Sequence, residues 1–332
     1  MQARRVAKNK LLELQTIISR MPLELCCVTV LPEFGVRWRE VSRHVRSSRL
    51  PMTSASVARV LCRHASKSLP EEEIEDIASR LRLKLAATQS RMWHVIELME
   101  KDQEESVSKQ IHMLPSRVTQ ALSKYRNKNM RPEVQTVLLG DLMYVSVQLL
   151  SDTKQGSVLY VATPPTEPVA LVSSLGMTTL LKAVVDGLGY NKYQDANLYG
   201  RDIRSLLQIF DRRYTENADH LTEIPEYTPV PVTTRSGIDY TYKTYDIQYV
   251  DNLLGPDPPL LTNLNISTTK QFFDPFILNK QINLRVTLKS DNIASTFKAW
   301  VEKSALAPTS DFFKIFHQIK SNKVTYCKED SE

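Results

Sequence analysis

Few of the signals that mark common enzyme classes occur in this sequence. Glycine accounts for only 9 of 332 residues, whereas about 7% is average, and no GxGxxG or Walker A pattern indicates a nucleotide-phosphate loop. The six histidines form no HExxH pattern. Nothing nominates a serine or cysteine triad, although the members of a triad need not be neighbours in the chain. The sequence therefore predicts a protein that is not an enzyme, with no catalytic residues, no cofactor and no metal site.

Cysteines and long apolar runs are also scarce. The four cysteines, at 26, 27, 62 and 327, include no CxxC pair and no zinc-site spacing with histidine, which favours buried thiols that act as small hydrophobes. No run of about 18 uncharged apolar residues predicts a membrane span. The amino terminus is basic but leads into an amphipathic pattern, not an apolar signal core. We therefore expect an intracellular protein with no membrane partner and no small-molecule substrate.

Positive charge is concentrated at the start of the chain. Residues 1–70 contain 13 Lys/Arg and 4 Asp/Glu, a local charge of +9 within a total of +6. Such an excess is typical of a surface that binds a polyanion. The densest part is a series of arginines that lie two to four residues apart: Arg37, Arg39, Arg43, Arg46 and Arg49. Alone, this series is equally well a solvated face, but together with Lys8, Lys10 and Arg20 it favours contact with DNA phosphates.

Hydrophobic periodicity predicts helices over the first hundred residues. Apolar residues recur at helical spacing over 10–21, a second helix follows Pro22, and a further helix begins at Ser54 or Ser56. The spacing of Trp93, Ile96 and Met99 extends the helical pattern. After a polar break at 101–111, Pro115 predicts the start of another helix.

The pattern then changes to mixed α/β. Residues 142–149 alternate as in a strand, a hairpin turn over 151–156 leads to a strand at 158–162, and a short strand follows at 169–172. Helices are predicted over 180–188 and 199–212. A Pro/Thr-rich linker at 214–237 precedes a helix at 242–254, a strand at 282–288 and a helix from 293. The predicted fold class is α+β, with domains at 1–85, 86–218 and 219–332.

The stretch NLYGRDIRSLLQIFDRRY, residues 197–214, predicts an amphipathic helix. One side carries Ile203, Leu206, Leu207 and Phe210, and the other is basic. Asp202 falls in the first turn, where the helix dipole favours an acid. On periodicity alone this is a surface helix with a solvated face.

Three segments of the chain resemble the centromere protein N family of the inner kinetochore. They are QTIISRMPLEL at 15–25, the stretch at 197–214, and the carboxyl-terminal blocks YDIQYVDNLLGPDPP, LRVTLKSDNIASTFKAWVEKSALAP and NKVTYCK. The segments follow one another in the same order as in the family. The resemblance implies an N-terminal all-α domain of the pyrin (death-fold) type, a mixed α/β middle domain and an α/β C-terminal dimerisation domain.

The same resemblance implies a function on chromatin. The family binds the CENP-A nucleosome through DNA and histone contacts, and its C-terminal domain forms a heterodimer with centromere protein L. The implied localisation is the nucleus, at the centromere and kinetochore of the chromosome, with a role in chromosome segregation.

Individual positions follow from the resemblance residue by residue. Arg20 matches the basic residue before the junction proline, and Lys154 is the lysine of the hairpin that contacts DNA. Arg201, with Arg204 near it, matches the mid-chain helix that faces histones. Glu13 is nearest to the carboxylate that receives a histone arginine, although the acid that precedes it in the family is absent here.

Two other functional classes stay open at this stage. A nucleic-acid-processing enzyme would bring carboxylates together in a basic cleft. A death-fold signalling adaptor would use the helical domain for homotypic assembly and would not need DNA.

Overall fold

The computed structural model describes residues 2–88, 91–101, 106–124, 130–150, 156–212, 224–274, 277–317 and 319–325. For residues 2–9 and 268–284 the description covers the backbone only. The chain is α+β, and it separates into two compact units. Unit 1 comprises residues 1–89 and 98–193, and unit 2 comprises residues 90–97 and 194–332. These boundaries differ from the three predicted domains, which stay a prediction.

Unit 1 begins with a helical bundle. Its helices are α1 (Gln2–Ser19), α2 (Leu23–Leu25), α3 (Trp38–Ser47), α4 (Ser54–Ser68) and α5 (Glu71–Thr88). Between α2 and α3, a π-helical turn (Cys26–Val30) and a 3-10 turn (Leu31–Phe34) continue the chain. One apolar core joins these helices, with Leu14, Ile18, Val57, Leu61 and Leu81 fully buried. The predicted helices over 10–21 and from Ser54 are confirmed.

A six-stranded sheet follows the bundle. Its strands are β1 (Trp93–Lys101), β2 (Arg131–Leu139), β3 (Leu142–Leu150), β4 (Leu159–Thr163), β5 (Val169–Val172) and β6 (Tyr190–Gly200). They lie in the order β2-β3-β4-β5-β1-β6, and β2 to β5 pair antiparallel. Helix α6 (Val107–Ser123) packs against α7 (Thr178–Gly187) and β2. The strands predicted at 142–149, 158–162 and 169–172 are confirmed, whereas the hairpin turn at 151–155 lies outside the described residues.

Three predictions in this region were wrong. Residues 93–99 form strand β1 and not a helix, because Val95, Ile96 and Leu98 are buried along it. Helix α6 begins at Val107 and contains Pro115 in its interior, so this proline does not start a helix. The helix predicted over 199–212 is shorter, since β6 continues to Gly200.

Unit 2 contains α8 (Ile203–Asp211), α9 (Lys243–Leu254), α10 (Ile293–Glu302) and α11 (Asp311–His317). A two-stranded hairpin pairs β7 (Val232–Thr234) with β8 (Gly237–Asp239). The three-stranded sheet β10-β9-β11 is formed by β9 (Asn263–Asp274), β10 (Ile277–Lys289) and β11 (Lys323–Thr325). The predictions for 242–254, 282–288 and 293 onwards are confirmed, and Gly255 ends α9 in a positive-φ conformation.

One buried side chain connects three elements of unit 2. Asn322 has no exposed surface, and its amide oxygen accepts a hydrogen bond of 2.6 Å from the backbone N–H of Tyr199 in β6. Its amide nitrogen donates to the carbonyl of Asn263 in β9 at 2.7 Å. Both ends of the amide are therefore satisfied, as a buried polar group requires.

No single helix among the described residues is long and apolar enough to cross a membrane. One pair of helical segments, Lys10–Ser19 and Leu23–Phe34, is long and apolar enough when the two are taken together, but they are bent by 119° relative to each other.

Candidate nucleic-acid interface

Helix α3 separates apolar and basic residues onto opposite faces. Val41 and Val45 are buried in the bundle core, and Trp38 is partly buried beside them. Arg39, Arg43 and Arg46 are exposed and lie at i, i+4 and i+7, so they share one face of the helix. Helix α3 thus presents three arginines to solvent in a row of about 10 Å, from 1.5 Å per residue.

Helix α4 adds a second row of cations. Thr53 caps its amino end, where the hydroxyl accepts a 3.3 Å hydrogen bond from the N–H of Ser56. The exposed residues Arg59, Arg63 and Lys67 follow at i, i+4 and i+8. Because α4 packs against α3, the helical bundle offers two basic rows on adjacent helices. The residues of α4 contributed to the charge count of the sequence but were not predicted as contacts.

We call these side chains, with the two arginines that flank α3, the basic face: Arg37, Arg39, Arg43, Arg46, Arg49, Arg59, Arg63 and Lys67. Between residues 37 and 67 the only acid is Glu40. Within the part of the chain that the structure describes, no ion pair or hydrogen bond engages the side chain of any member of the basic face. Their charges are therefore available to a polyanion.

Arg49 has an unusual backbone conformation. It follows α3 with φ of 56°, in the left-handed region. The N–H of Leu50 donates to the carbonyl of Val45 at 3.1 Å, and that of Arg49 to the carbonyl of Arg46 at 3.0 Å. This is the Schellman pattern that ends many helices, and the left-handed position in it is usually glycine. An arginine here costs about 1 kcal/mol of conformational energy.

Lys10, a predicted DNA contact, is engaged within the bundle. Its Nζ lies 2.5 Å from Glu75 Oε2 and 3.5 Å from Glu71 Oε1, both in α5. Burial lowers the pKa of Lys10, but the hydrogen bond and charge of Glu75, with the help of Glu71, outweigh burial and raise it overall. The structure therefore gives Lys10 a role in joining α1 to α5.

Glu13, the predicted receptor of a histone arginine, already has an arginine partner. Its carboxylate forms an ion pair with Arg82 of α5. The same guanidinium lies 3.5 Å from Gln148 Oε1 and 4.0 Å from Glu133 Oε2. A histone arginine would have to displace Arg82 from Glu13. Glu133 is near enough to bind the displaced Arg82.

Among the described residues of unit 1, Glu33 has the least exposed side chain of any acid in an ion pair. Its oxygens lie 2.8 Å from Arg80 Nε and 2.6 Å from Lys84 Nζ, and 14% of its side chain is exposed. Burial opposes ionisation of Glu33, but the hydrogen bonds from Lys84 and Arg80 outweigh it and lower its pKa. The cluster ties the 3-10 turn to α5.

This lowered pKa predicts a stability that depends on pH. The contribution of Glu33 is present above the ordinary carboxyl pKa and is lost as pH falls through the lower folded value. Glu33→Gln is therefore expected to lower the free energy of unfolding by about 1–3 kcal/mol at neutral pH. The difference from the unchanged protein, measured by urea unfolding, should shrink as the pH falls below the ordinary range for glutamate. A difference that stays constant down to acidic pH would contradict the assignment.

Three other residues of unit 1 were predicted to contact DNA: Lys8, Arg20 and Lys154. Arg20 is exposed just beyond the end of α1. Lys8 lies in α1 at a position where only the backbone is described, and Lys154 lies outside the described residues.

Helix α8 in unit 2 presents the predicted histone contacts. Asp202 caps it, with its Oδ2 accepting from the N–H of Ser205 at 2.8 Å. Arg201 was predicted to lie in this helix, but it precedes α8, because β6 continues to Gly200 and Asp202 is the N-cap; Arg201 is exposed. The side chain of Arg204 is 89% exposed, and its Nη2 lies 3.9 Å from Asp257 Oδ2. Arg212 belongs to the basic side of the predicted helix, which we expected to be solvated, but it is partly buried in a cleft of about 290 Å³, and burial lowers its pKa.

No group of three or more histidine, cysteine, aspartate or glutamate side chains suited to a metal ion occurs among the described residues. Comparison of the chain with protein-family models and with curated proteins gave no match.

Proposed function

We propose that this chain is a non-enzymatic chromatin-binding protein that holds duplex DNA through the basic face, as members of the centromere protein N family do. The observation that supports the proposal best is the set of eight exposed cations on and beside α3 and α4, with no partner among the described residues. The single core shared by α1 to α5 is compatible with a pyrin-like bundle at residues 1–85. The resemblance of the sequence to the family supplies the biological setting.

The spacing of the basic face suits a phosphate backbone. The α3 arginines span about 10 Å and the α4 cations about 12 Å along their helices. One DNA strand carries one phosphate per about 3.4 Å of helix axis, so a row of this length can face more than one phosphate. Guanidinium groups form short, forked hydrogen bonds with phosphate oxygens. Such contacts position a protein on DNA without reading base sequence.

Arg49 supplies an independent argument for a functional surface. A glycine at this left-handed position would relieve strain, so an arginine is retained there at the expense of stability. We expect Arg49→Gly to raise the free energy of unfolding by about 0.5–1 kcal/mol while it weakens DNA binding severalfold. Urea unfolding and fluorescence anisotropy with a labelled duplex would measure the two effects.

The matched control is Arg59→Gly, within helix α4. It removes a charge from the same face but lowers stability by about 1 kcal/mol, because glycine disfavours a helix interior. If Arg49→Gly lowered stability as well, or left DNA binding unchanged, the argument from its conformation would be wrong.

Recognition of histones is the second part of the proposal. Glu13 would accept an arginine of the variant histone CENP-A in exchange for Arg82. Arg204 of α8, and Arg201 just before α8, would contact the histone surface. The supporting observations are the exposure of both arginines and the alternative partner that Glu133 offers Arg82. A charge-assisted contact of this kind gives specificity because one missing partner leaves the other unpaired.

A salt-titrated gel shift that compares CENP-A nucleosomes, conventional nucleosomes and free DNA tests both parts. We expect binding to all three to weaken steeply with salt, and a preference for CENP-A nucleosomes that Glu13→Gln reduces. Equal affinity for both nucleosomes, unaltered by Glu13→Gln, would refute histone recognition. Failure to bind free DNA at low salt would refute the basic face.

Unit 2 is proposed to bind centromere protein L through its C-terminal sheet. Strand β10 is an edge of the β10-β9-β11 sheet and is 13 residues long, and no strand among the described residues pairs with its outer side. Long unpaired edges invite another strand. Hydrogen-exchange mass spectrometry with centromere protein L should show slower exchange in β10, with α1 as an internal reference. Slower exchange in other parts of unit 2 without slower exchange in β10 would contradict this interface.

A further inference from the structure

The sequence contains two Thr-Pro pairs, and the structure places them in opposite environments. They are Thr163-Pro164 and Thr228-Pro229, and no serine or other threonine precedes a proline. Threonine followed by proline is a pattern that phosphorylation by proline-directed kinases requires, but the hydroxyl must also be accessible. Both threonines have the same Thr-Pro pattern, so a difference in their phosphorylation would reflect the difference in their accessibility.

Thr163 is inaccessible. It ends β4 with 2% of its surface exposed. Its hydroxyl donates to the carbonyl of Val169 at 2.7 Å and lies 3.2 Å from the carbonyl of Pro164. A kinase would have to open the sheet to reach this oxygen, at an expense comparable to local unfolding.

Thr228 is exposed in a segment without helix or strand. Residues 224–231 contain no regular secondary structure, and Thr228 through Pro231 are all exposed. Its hydroxyl forms no hydrogen bond with another described residue. Pro229 restricts Thr228 to extended conformations, and Pro231 restricts Val230 in the same way. Extended backbone is the form in which a peptide lies along an enzyme cleft.

Two hydrogen bonds hold the start of this segment to helix α9. The Tyr227 hydroxyl donates to Asp246 Oδ1 at 2.5 Å, and the Tyr249 hydroxyl donates to the carbonyl of Pro225 at 2.7 Å. The Asp246 carboxylate raises the pKa of Tyr227 to about 12, so this phenol stays protonated and the tether persists at neutral pH. Thr228 is thus held at the surface immediately after an anchored residue.

We propose that Thr228 is a phosphorylation site for a proline-directed protein kinase that uses ATP. The Thr228 oxygen attacks the γ-phosphorus of ATP, the new O–P bond forms as the bond to ADP breaks, and the hydroxyl proton passes to the base of the kinase. Pro229 has no backbone N–H. The part of the kinase that binds the residue after the threonine therefore does not need a hydrogen-bond acceptor there. The product carries a charge of about −1.5 to −2 beside Glu226. This inference is independent of DNA binding.

The test uses the full chain, a purified cyclin-dependent kinase and ATP with Mg²⁺, with phosphate mapped by peptide mass spectrometry. The folded chain should acquire phosphate at Thr228 and none at Thr163. The heat-denatured chain should acquire it at both sites, because only the fold protects Thr163. Thr228→Ala should lose the label from the folded chain, Thr228→Ser should restore it, and Thr163→Ser should leave it unchanged.

Two results would overturn the proposal. One is a folded chain without phosphate at Thr228 when the denatured chain is labelled there. The other is equal labelling of both threonines in a chain that circular dichroism shows to be folded.

Discussion

Simultaneous replacement of Arg39, Arg43 and Arg46 by glutamine is expected to weaken binding to duplex DNA by about a thousandfold. Each arginine is exposed and without a partner among the described residues, so its charge stabilises no other residue that the structure describes. A hydrogen bond to a charged group contributes about 1.5 kcal/mol or more, and three such contacts account for a change of this size. The fold should survive, because Val41 and Val45 on the opposite face are unchanged.

The salt dependence of the same variant gives a sharper measurement. Each phosphate contact contributes about 0.9 to the slope of log affinity against log salt concentration. Loss of three contacts should therefore reduce the slope by about 2.7. Anisotropy titrations with a labelled duplex between about 50 and 200 mM salt would measure it.

Lys303, Lys314 and Lys323 provide the matched control. They are exposed cations of unit 2, and their joint replacement by glutamine changes the net charge of the protein by the same amount. If the two triple variants lost affinity equally, the effect would arise from overall charge, and the basic face would not be the DNA site.

Phe297→Ala is expected to lower the free energy of unfolding of unit 2 by about 3–5 kcal/mol. Phe297 is 1% exposed in α10 and lies at the centre of an aromatic cluster. The centroid of its ring is 5.7–5.9 Å from those of four others: Trp300, Phe312, Phe313 and Phe316. Its removal leaves a cavity and forfeits edge-to-face contacts worth about 0.5–1.5 kcal/mol each.

Phe312→Ala supplies the comparison, because Phe312 belongs to the same cluster but is only partly buried. Its effect should be smaller by at least about 1 kcal/mol. Urea unfolding would measure the loss of stability, and hydrogen exchange in α10 and α11 would show where it occurs. Equal effects of the two variants would show that the cluster does not have Phe297 as its centre. We also expect Phe297→Ala to abolish binding of a C-terminal partner and to leave DNA binding nearly unchanged.

The elements that could be predicted from the sequence are those with a clear period. Strand β3 alternates, and α9 has a glycine and a proline at its end, so both were found. Strand β1 was missed because Val95 and Ile96 are adjacent and both buried, and a strand covered on both faces has no alternation. Strand β6 is largely polar, so its pairing with β1, and not its own side chains, determines its conformation.

The candidate site divides in a similar way. The arginines of α3 were predicted because they are dense in the sequence. Arg59, Arg63 and Lys67 were not, although the helix that carries them was predicted, because they are less dense in the sequence than the arginines at 37–49. The engagement of Lys10 and Glu13 could not be predicted, because their partners, Glu75 and Arg82, lie more than 60 residues away in the chain.

The composition of unit 2 has a consequence for synthesis on the ribosome. Residues 90–97, which include the buried side chains of Trp93, Val95 and Ile96, belong with residues 194–332, and the unit is not tied together until Asn322 is made. The neighbour of β1 within this unit is β6, which is complete only at Gly200, so at about 5–20 residues per second those side chains wait roughly 5–20 seconds for it. During that interval they form an exposed apolar strand, so the nascent chain is expected to be a substrate for chaperones that hold such segments.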